Sequence, residues 1–295
     1  MTPSTMNGQT APTIVLVHGA FANSFTFAPL QAELALRGIR SAAVDLPGHG
    51  FAATFPDSYQ APQDLAALAA TPGSLRGVTL ADNVAHLAEV LARAKENGPV
   101  IALAHSRGGI TLTATANAHP ELIDHMVYVS AWAPVTLDAA AYNSEPEMAD
   151  VDTAAIGAAL VGDPRELGLL RCNFRSSDPE LLEGFRTLFF ADGSPDEFRA
   201  FLSTFQPDEN LDAGTAADRT QPATWGTIPR TYIRLGEDRS LPPAMQDRLI
   251  READELMPDN PYRVHTLDSS HWGWLVRPTA AAELLRRIAA EAAGS

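Results

Sequence analysis

Cysteine and lysine occur once each in this chain of 295 residues, as Cys172 and Lys95. A single cysteine excludes an internal disulfide and any cysteine-rich metal site. Nearly every base is therefore arginine, which in so alanine-rich a chain reads as a coding bias rather than a functional signal. Positive charge as a whole is scarce: 21 Lys and Arg stand against 36 Asp and Glu, a net charge of −15. That balance argues against nucleic acid or an anionic membrane as partner, because both demand clustered Lys and Arg. No apolar run approaches the roughly 20 residues needed to cross a bilayer, and residues 1–11 are too polar for a signal peptide. The expectation is a cytoplasmic globular protein, whose 45% hydrophobic residues supply a core for one large domain or two small ones.

What is present is a regular alternation of strand and helix. Residues 12–17 carry a β-branched run that ends at His18-Gly19. A continuous apolar strand of this kind is buried on both faces, as in a parallel sheet. A helix is predicted over about 27–37, with Leu30, Leu34 and Ala35 at helical spacing and Gly38 as its stop. A strand over 41–45 then runs into the sharp turn Leu46-Pro47-Gly48-His49-Gly50, and the excursion 51–77 has room for a short helix near 63–70. Thr79, with Asp82 three residues on, caps the next helix, whose apolar stripe is Val84, Leu87, Val90 and Leu91. A strand over 100–104, a sharp turn at His105–Gly109, a helix to about 119 and a strand over 126–129 follow. The pattern is that of an α/β protein with a doubly wound, mostly parallel sheet.

The rhythm breaks over 135–225, where no strand is convincing and a structureless loop would be implausibly long. Asp163-Pro164, Asp178-Pro179 and Ser194-Pro195 each place an N-cap residue before proline at the first helical position. The stretch therefore reads as a helical insertion after the strand ending near residue 130. It divides a core into parts 12–134 and 226–295, the second with strands over 231–235 and 263–267 and helices over about 243–256 and 279–290.

In parallel α/β sheets ligands bind beyond the carboxyl ends of the strands, and the reactive residues fall there. Ala104-His105-Ser106-Arg107-Gly108-Gly109 matches the nucleophile elbow Gly-x-Ser-x-Gly, with Ala104 in place of the first glycine. Small residues around a strained strand-to-helix turn let Ser106 Oγ project into the site, whereas the alternative is a serine that merely caps a helix. A hydroxyl nucleophile needs a base, and the base an orienting acid. His271 follows the last strand and Asp238 the one before it, in the order serine, acid, histidine. Glu237 and Asp268 are rivals for the acid. The oxyanion donors expected are the backbone N–H groups of Arg107 and of Ala20, in His18-Gly19-Ala20-Phe21. The Arg107 side chain could bind a substrate group or form a structural ion pair.

Together the His18-Gly19-Ala20-Phe21 turn, Asp45-Leu46-Pro47-Gly48-His49-Gly50, the serine elbow, Asp238 and His271 resemble the α/β-hydrolase superfamily. The resemblance spans about residue 12 to the C-terminus and is nearest to the branch of plant methyl esterases and hydroxynitrile lyases. Hydroxynitrile lyases of that branch carry a lysine after the catalytic histidine and a threonine in the first loop. Trp272 and Gly19 stand at those positions, which argues against cyanohydrin cleavage. Ser106 likewise argues against the aspartate-nucleophile dehalogenases and epoxide hydrolases.

The resemblance implies that the insertion 135–225 caps the site. It holds 17 acids and 6 arginines, a net of −11. Such a field would repel anionic substrates, or else it serves only solubility. Its phenylalanines 185, 189, 190, 198, 201 and 205 pack the cap or line a pocket, while Phe21, Trp132, Trp272 and Trp274 are candidates to contact substrate. The expectation is a serine hydrolase, working without cofactor or metal, that cleaves a carboxylic ester of a hydrophobic, neutral small molecule through an acyl-enzyme. Acyl transfer, lactone or carbon–carbon hydrolysis by the same triad, and a non-catalytic ligand receptor, are the alternatives.

Overall fold

A computed structural model of the protein describes residues 5–6 and 9–293. The apolar runs become one six-stranded sheet: β1 (Thr13–Val17), β2 (Arg40–Val44), β3 (Val100–Ser106), β4 (His125–Ala131), β5 (Arg230–Leu235) and β6 (Arg263–Leu267). Its order is β6-β5-β4-β3-β1-β2, and all five pairings are parallel. Because side chains alternate along a strand, Ile14, Leu16, Ile101 and Leu103 face one layer and Val15, Val17, Ala102 and Ala104 the other.

Helices cover both faces. Leu30 and Leu34 of α1 (Ala28–Leu36) join Leu284, Leu285 and Ile288 of the last helix, Thr279–Ala293, on the first face. Leu87 and Leu91 of α2 (Leu80–Lys95), Leu112 and Ala116 of α3 (Gly108–Ala118), and Ile250 and Ala253 of the helix Pro243–Leu256 cover the second. The Thr79–Asp82 capping box forms as the spacing predicts.

Between β4 and β5 the chain holds α4 (Ala154–Ala159), α5 (Pro179–Phe189) and α6 (Pro195–Leu202); the helices Pro243–Leu256 and Thr279–Ala293 are then α7 and α8. Asp163, Asp178 and Ser194 each accept first-turn N–H groups, so all three helix starts are real. The expectation of no strand in this segment needs correction. Leu170–Arg171 pairs antiparallel with Asp208–Glu209. Two residues carry no readable alternation; tertiary contacts hold this pair instead. The Arg171 guanidinium donates to both oxygens of Asp208 at 2.6 and 2.7 Å, and to the carbonyls of Leu68 and Thr71 at 2.6 Å each. Among the described residues no helix is long and apolar enough to cross a membrane.

Candidate active site

The turn from β3 into α3 puts Ser106 at φ +53°, a left-handed conformation for a residue with a Cβ. Such strain costs about 1–3 kcal/mol and persists only where the surroundings enforce it. Here they do. The β3–β4 register shifts between His105 and Ser106, and α3 approaches its neighbours closely enough to require glycine. A Cβ on Gly108 would lie 2.4 Å from the His18 carbonyl oxygen, and one on Gly109 2.2 Å from that of Trp132. Gly109→Ala is expected to lower the unfolding free energy by about 1–3 kcal/mol, as overpacking does. Urea titration checks this; an unchanged midpoint would show that α3 can move away from Trp132 at no cost.

Asp238 and His271 come together as the chain order predicts. The His271 Nδ1 and Asp238 Oδ2 atoms are 2.5 Å apart, and the residues are only 3% and 2% exposed. Asp238 Oδ2 also accepts from the Ser130 hydroxyl at 2.6 Å. Its Oδ1 accepts from the Ser240 N–H and Oγ–H and the Leu241 N–H at 2.8, 3.1 and 2.9 Å. A carboxylate so saturated is fixed in orientation. It favours the histidine proton on Nδ1, the tautomer that leaves Nε2 as the ring's acceptor. The Ser106 hydroxyl makes no hydrogen bond among the described residues, although Ser106 and His271 line the same two cavities. In unliganded sites this bond is often long and tightens with substrate. The rival acids Glu237 and Asp268 are both exposed.

Beside His271, at 4.4 Å between ring centres, lies the buried His105. Burial, and then the charge of His271, hold His105 well below the usual histidine range, so it brings no second positive charge beside His271. His125 bonds Thr231 Oγ1 at 2.9 Å within the sheet.

The Ala20 and Arg107 N–H groups have no hydrogen-bond partner among the described residues, and both residues line the cavity at Ser106. The Arg107 guanidinium is held by the segment between β4 and β5. It donates to the Asn210 side chain and the Asp212 carbonyl at 2.7 and 2.6 Å and lies 3.6 Å from Glu209, which is the structural ion pair of the two expected uses.

Two cavities meet at Ser106. One, of about 120 Å³, is walled by Phe21, Phe174, Phe185, Phe189, Phe205 and Trp272. The other, of about 370 Å³, is lined by Trp132, Asn143, Met148, Leu188 and Ser240 among others. Phe201 also faces the first cavity, whereas Phe190 and Phe198 are buried against each other. Trp274 is a correction: it lines neither of these cavities and packs against Phe27 and His105. Residues two apart on a helical turn diverge by about 200°, so Trp272 and Trp274 on the turn Gly273–Val276 and its cap point opposite ways. A third cavity of about 570 Å³ carries Glu147, Asp150, Asp152 and Glu183 together with Arg239, and shares Val151 and Leu188 with the second.

Sequence reasoning missed Ser130 and Phe174. Ser130 lies at the carboxyl end of a predicted strand, and the rule that sites form there could have found it. Phe174 lies in a loop of the insertion and carries no local signal.

Residues 14–284 match the alpha/beta hydrolase family. Over 290 residues the chain is 26% identical to a pyrethroid hydrolase of Sphingobium wenxiniae, covering 95% of this chain and 88% of that one. Over 292 residues it is 24% identical to methylesterase 7 of Arabidopsis thaliana, covering 93% and 95%. Among solved structures, a pyrethroid hydrolase from Sphingobium faniae superposes with a TM-score of 0.68 at 25% identity, over 94% of this chain and 97% of that one. A match that runs from β1 into α8 and takes in the serine elbow, Asp238 and His271 means that the protein belongs to the alpha/beta hydrolase family.

Proposed function

We propose that the protein is a serine carboxylic ester hydrolase that acts on hydrophobic, neutral small-molecule esters. The observation that carries this reading is the placement of Ser106. It stands strained on its elbow where two cavities meet, beside His271 held by Asp238 and two N–H groups without partners among the described residues. His271 Nε2 takes the hydroxyl proton as Ser106 Oγ attacks the ester carbonyl. The Ala20 and Arg107 amides stabilise the oxyanion, which is where such donors contribute most. Collapse expels the alcohol, protonated by His271, and leaves an acyl-serine. Water deprotonated by His271 then attacks the acyl carbon; Ser106 regains its proton and the acid departs.

The two-lobed space suits a substrate with a group on each side of the scissile carbonyl, one of them flat and apolar against the phenylalanine wall. Residues 135–225 act as the cap that brings most of that wall. Glu147, Asp150, Asp152 and Glu183 of the adjoining third cavity outnumber its one arginine and disfavour anions there. Relatives named as a hydrolase and an esterase support the reaction class.

The test is turnover of p-nitrophenyl acetate, butyrate and octanoate against p-nitrophenyl succinate, with fluorophosphonate labelling of the same samples. Neutral esters should be hydrolysed with kcat/KM about 10-fold or more above the anionic one, the gap narrowing with salt as screening predicts. Preference for the anionic ester would remove the charge argument. Labelling without hydrolysis of any ester would assign the serine to acyl transfer or carbon–carbon cleavage, and neither signal would point to a receptor.

A further inference from the structure

Glu209 takes no part in the reaction above, yet it is a carboxylate only 4% exposed in the segment between β4 and β5. Burying a carboxylate is costly unless it is paired and hydrogen-bonded, so its partners show what it holds. Its Oε2 accepts the Phe21 N–H at 2.7 Å and lies 3.5 Å from His49 Nε2. Its Oε1 accepts the Asn210 N–H at 2.9 Å and lies 3.6 Å from Arg107 Nε. One side chain thus touches the neighbour of one oxyanion donor, Ala20, and the side chain of the other, Arg107. We propose that Glu209 is a positioning residue of the oxyanion hole, setting the spacing of its two donor loops from the far side of the site; the proposal rests on the esterase reading above.

Phe21 shows why such a brace is needed. It sits at φ +56°, the left-handed region, directly after Ala20. A residue with a side chain stays there only where its surroundings hold it. Both backbone polar groups of Phe21 are held from one short stretch: the N–H by Glu209, the carbonyl by the Gln206 N–H at 3.0 Å. The same stretch continues to Asn210 and Asp212, which bind the Arg107 guanidinium. It is anchored in turn by the buried Arg171–Asp208 pair, on the residue before Glu209.

The charge matters as well as the shape. A neutral amide could accept the Phe21 N–H, but it would lose the attraction to Arg107 and His49 and the stronger hydrogen bond that an ionised acceptor makes. Burial by itself would raise the Glu209 pKa, but the charge of His49, with smaller contributions from Arg107 and the Phe21 N–H, pulls it down to about 2. The positive partners also offset the carboxylate's field, so no net negative charge opposes the developing oxyanion.

The experiment compares wild type, Glu209→Gln and Asn210→Ala on p-nitrophenyl butyrate, with kcat expressed per serine titrated by fluorophosphonate. Oxyanion donors act in the transition state rather than in substrate binding. Glu209→Gln should therefore lower kcat about 10- to 100-fold with KM changed less than about 3-fold. Affinity for an alkyl trifluoromethyl ketone, whose adduct carries the oxyanion, should fall by the same factor. Asn210→Ala removes one arm of the Arg107 clamp and keeps the carboxylate. It should lower kcat several-fold at constant KM, and it answers the question if Glu209→Gln does not fold. A wild-type kcat per titrated serine in the folded variants, whatever their melting temperature, overturns the brace and leaves the esterase reading standing. A wild type that neither turns over nor labels overturns both, since no oxyanion would remain to be held.

Discussion

Replacing Ser106 by alanine is expected to lower kcat for ester hydrolysis by about 10³-fold or more and to abolish fluorophosphonate labelling, with the fold intact. The factor is that of losing a triad member, with the residual rate supplied by binding and the oxyanion donors. The fold should survive because the Ser106 hydroxyl makes no hydrogen bond among the described residues, so its removal orphans no partner. Alanine keeps the Cβ and with it the strain at φ +53°, so unfolding free energy should stay within about 1 kcal/mol of wild type. Undiminished hydrolysis by a folded Ser106→Ala protein would move the nucleophile elsewhere and end the elbow assignment.

The second large effect is a loss of stability as pH falls from about 6.5 towards 4. Burial, and then the charge of His49, push His18 down to about 4. Burial, and then Arg263, do the same to His125, and burial, and then the charge of His271, hold His105 well below the usual histidine range. All three hold fewer protons folded than unfolded, so their contribution is complete above the unfolded value near 6.5 and is lost on acidification through that window. His18 and His125 each account for about 3 kcal/mol, and together they are comparable to the roughly 5–15 kcal/mol that stabilises a typical domain. His49 works in the opposite sense. Burial lowers its pKa, but Glu209 more than compensates and raises it, so its stabilisation is present at low pH and is lost as pH rises through the raised value. Relief of repulsion among surface acids also opposes acid unfolding, but salt screens it. Urea melts at pH 8 to 4 should therefore show a neutral maximum and a steep acid side, made shallower by His125→Gln. A flat profile from pH 7 to 4.5 would show that these histidines take up protons inside the fold without cost.

Features that depend on neighbours in the chain were legible in the residues. The elbow needs small side chains around a single serine, and Gly108 and Gly109 meet that need whatever the rest of the molecule does. The capping residues Thr79, Asp163, Asp178 and Ser194 bind N–H groups two or three positions away, so their motifs are self-contained. Asp238 and His271 were found by chain order at the ends of recognisable strands. The sorting of the phenylalanines was not legible: spacing on α5 puts Phe185 and Phe189 on one face, but only packing decides that this face meets the cavity while Phe190 turns to Phe198.

The sequence by itself determined the parallel sheet, the helix starts, the serine elbow and the order of the candidate triad, because each is written in short-range periodicity or turn chemistry. The tertiary structure alone decided which groups hold that site in shape. Ser130 reaches Asp238 across 108 positions, and Glu209 reaches Phe21 across 188. It also set Trp274 behind His105 rather than in the site, and it made two-residue strands from stretches with no alternation to read. The physical reason is common to all of these. A buried carboxylate or a strained backbone is satisfied by whatever the fold brings within about 3 Å, and nothing local to Glu209 or Ser130 says what that partner is.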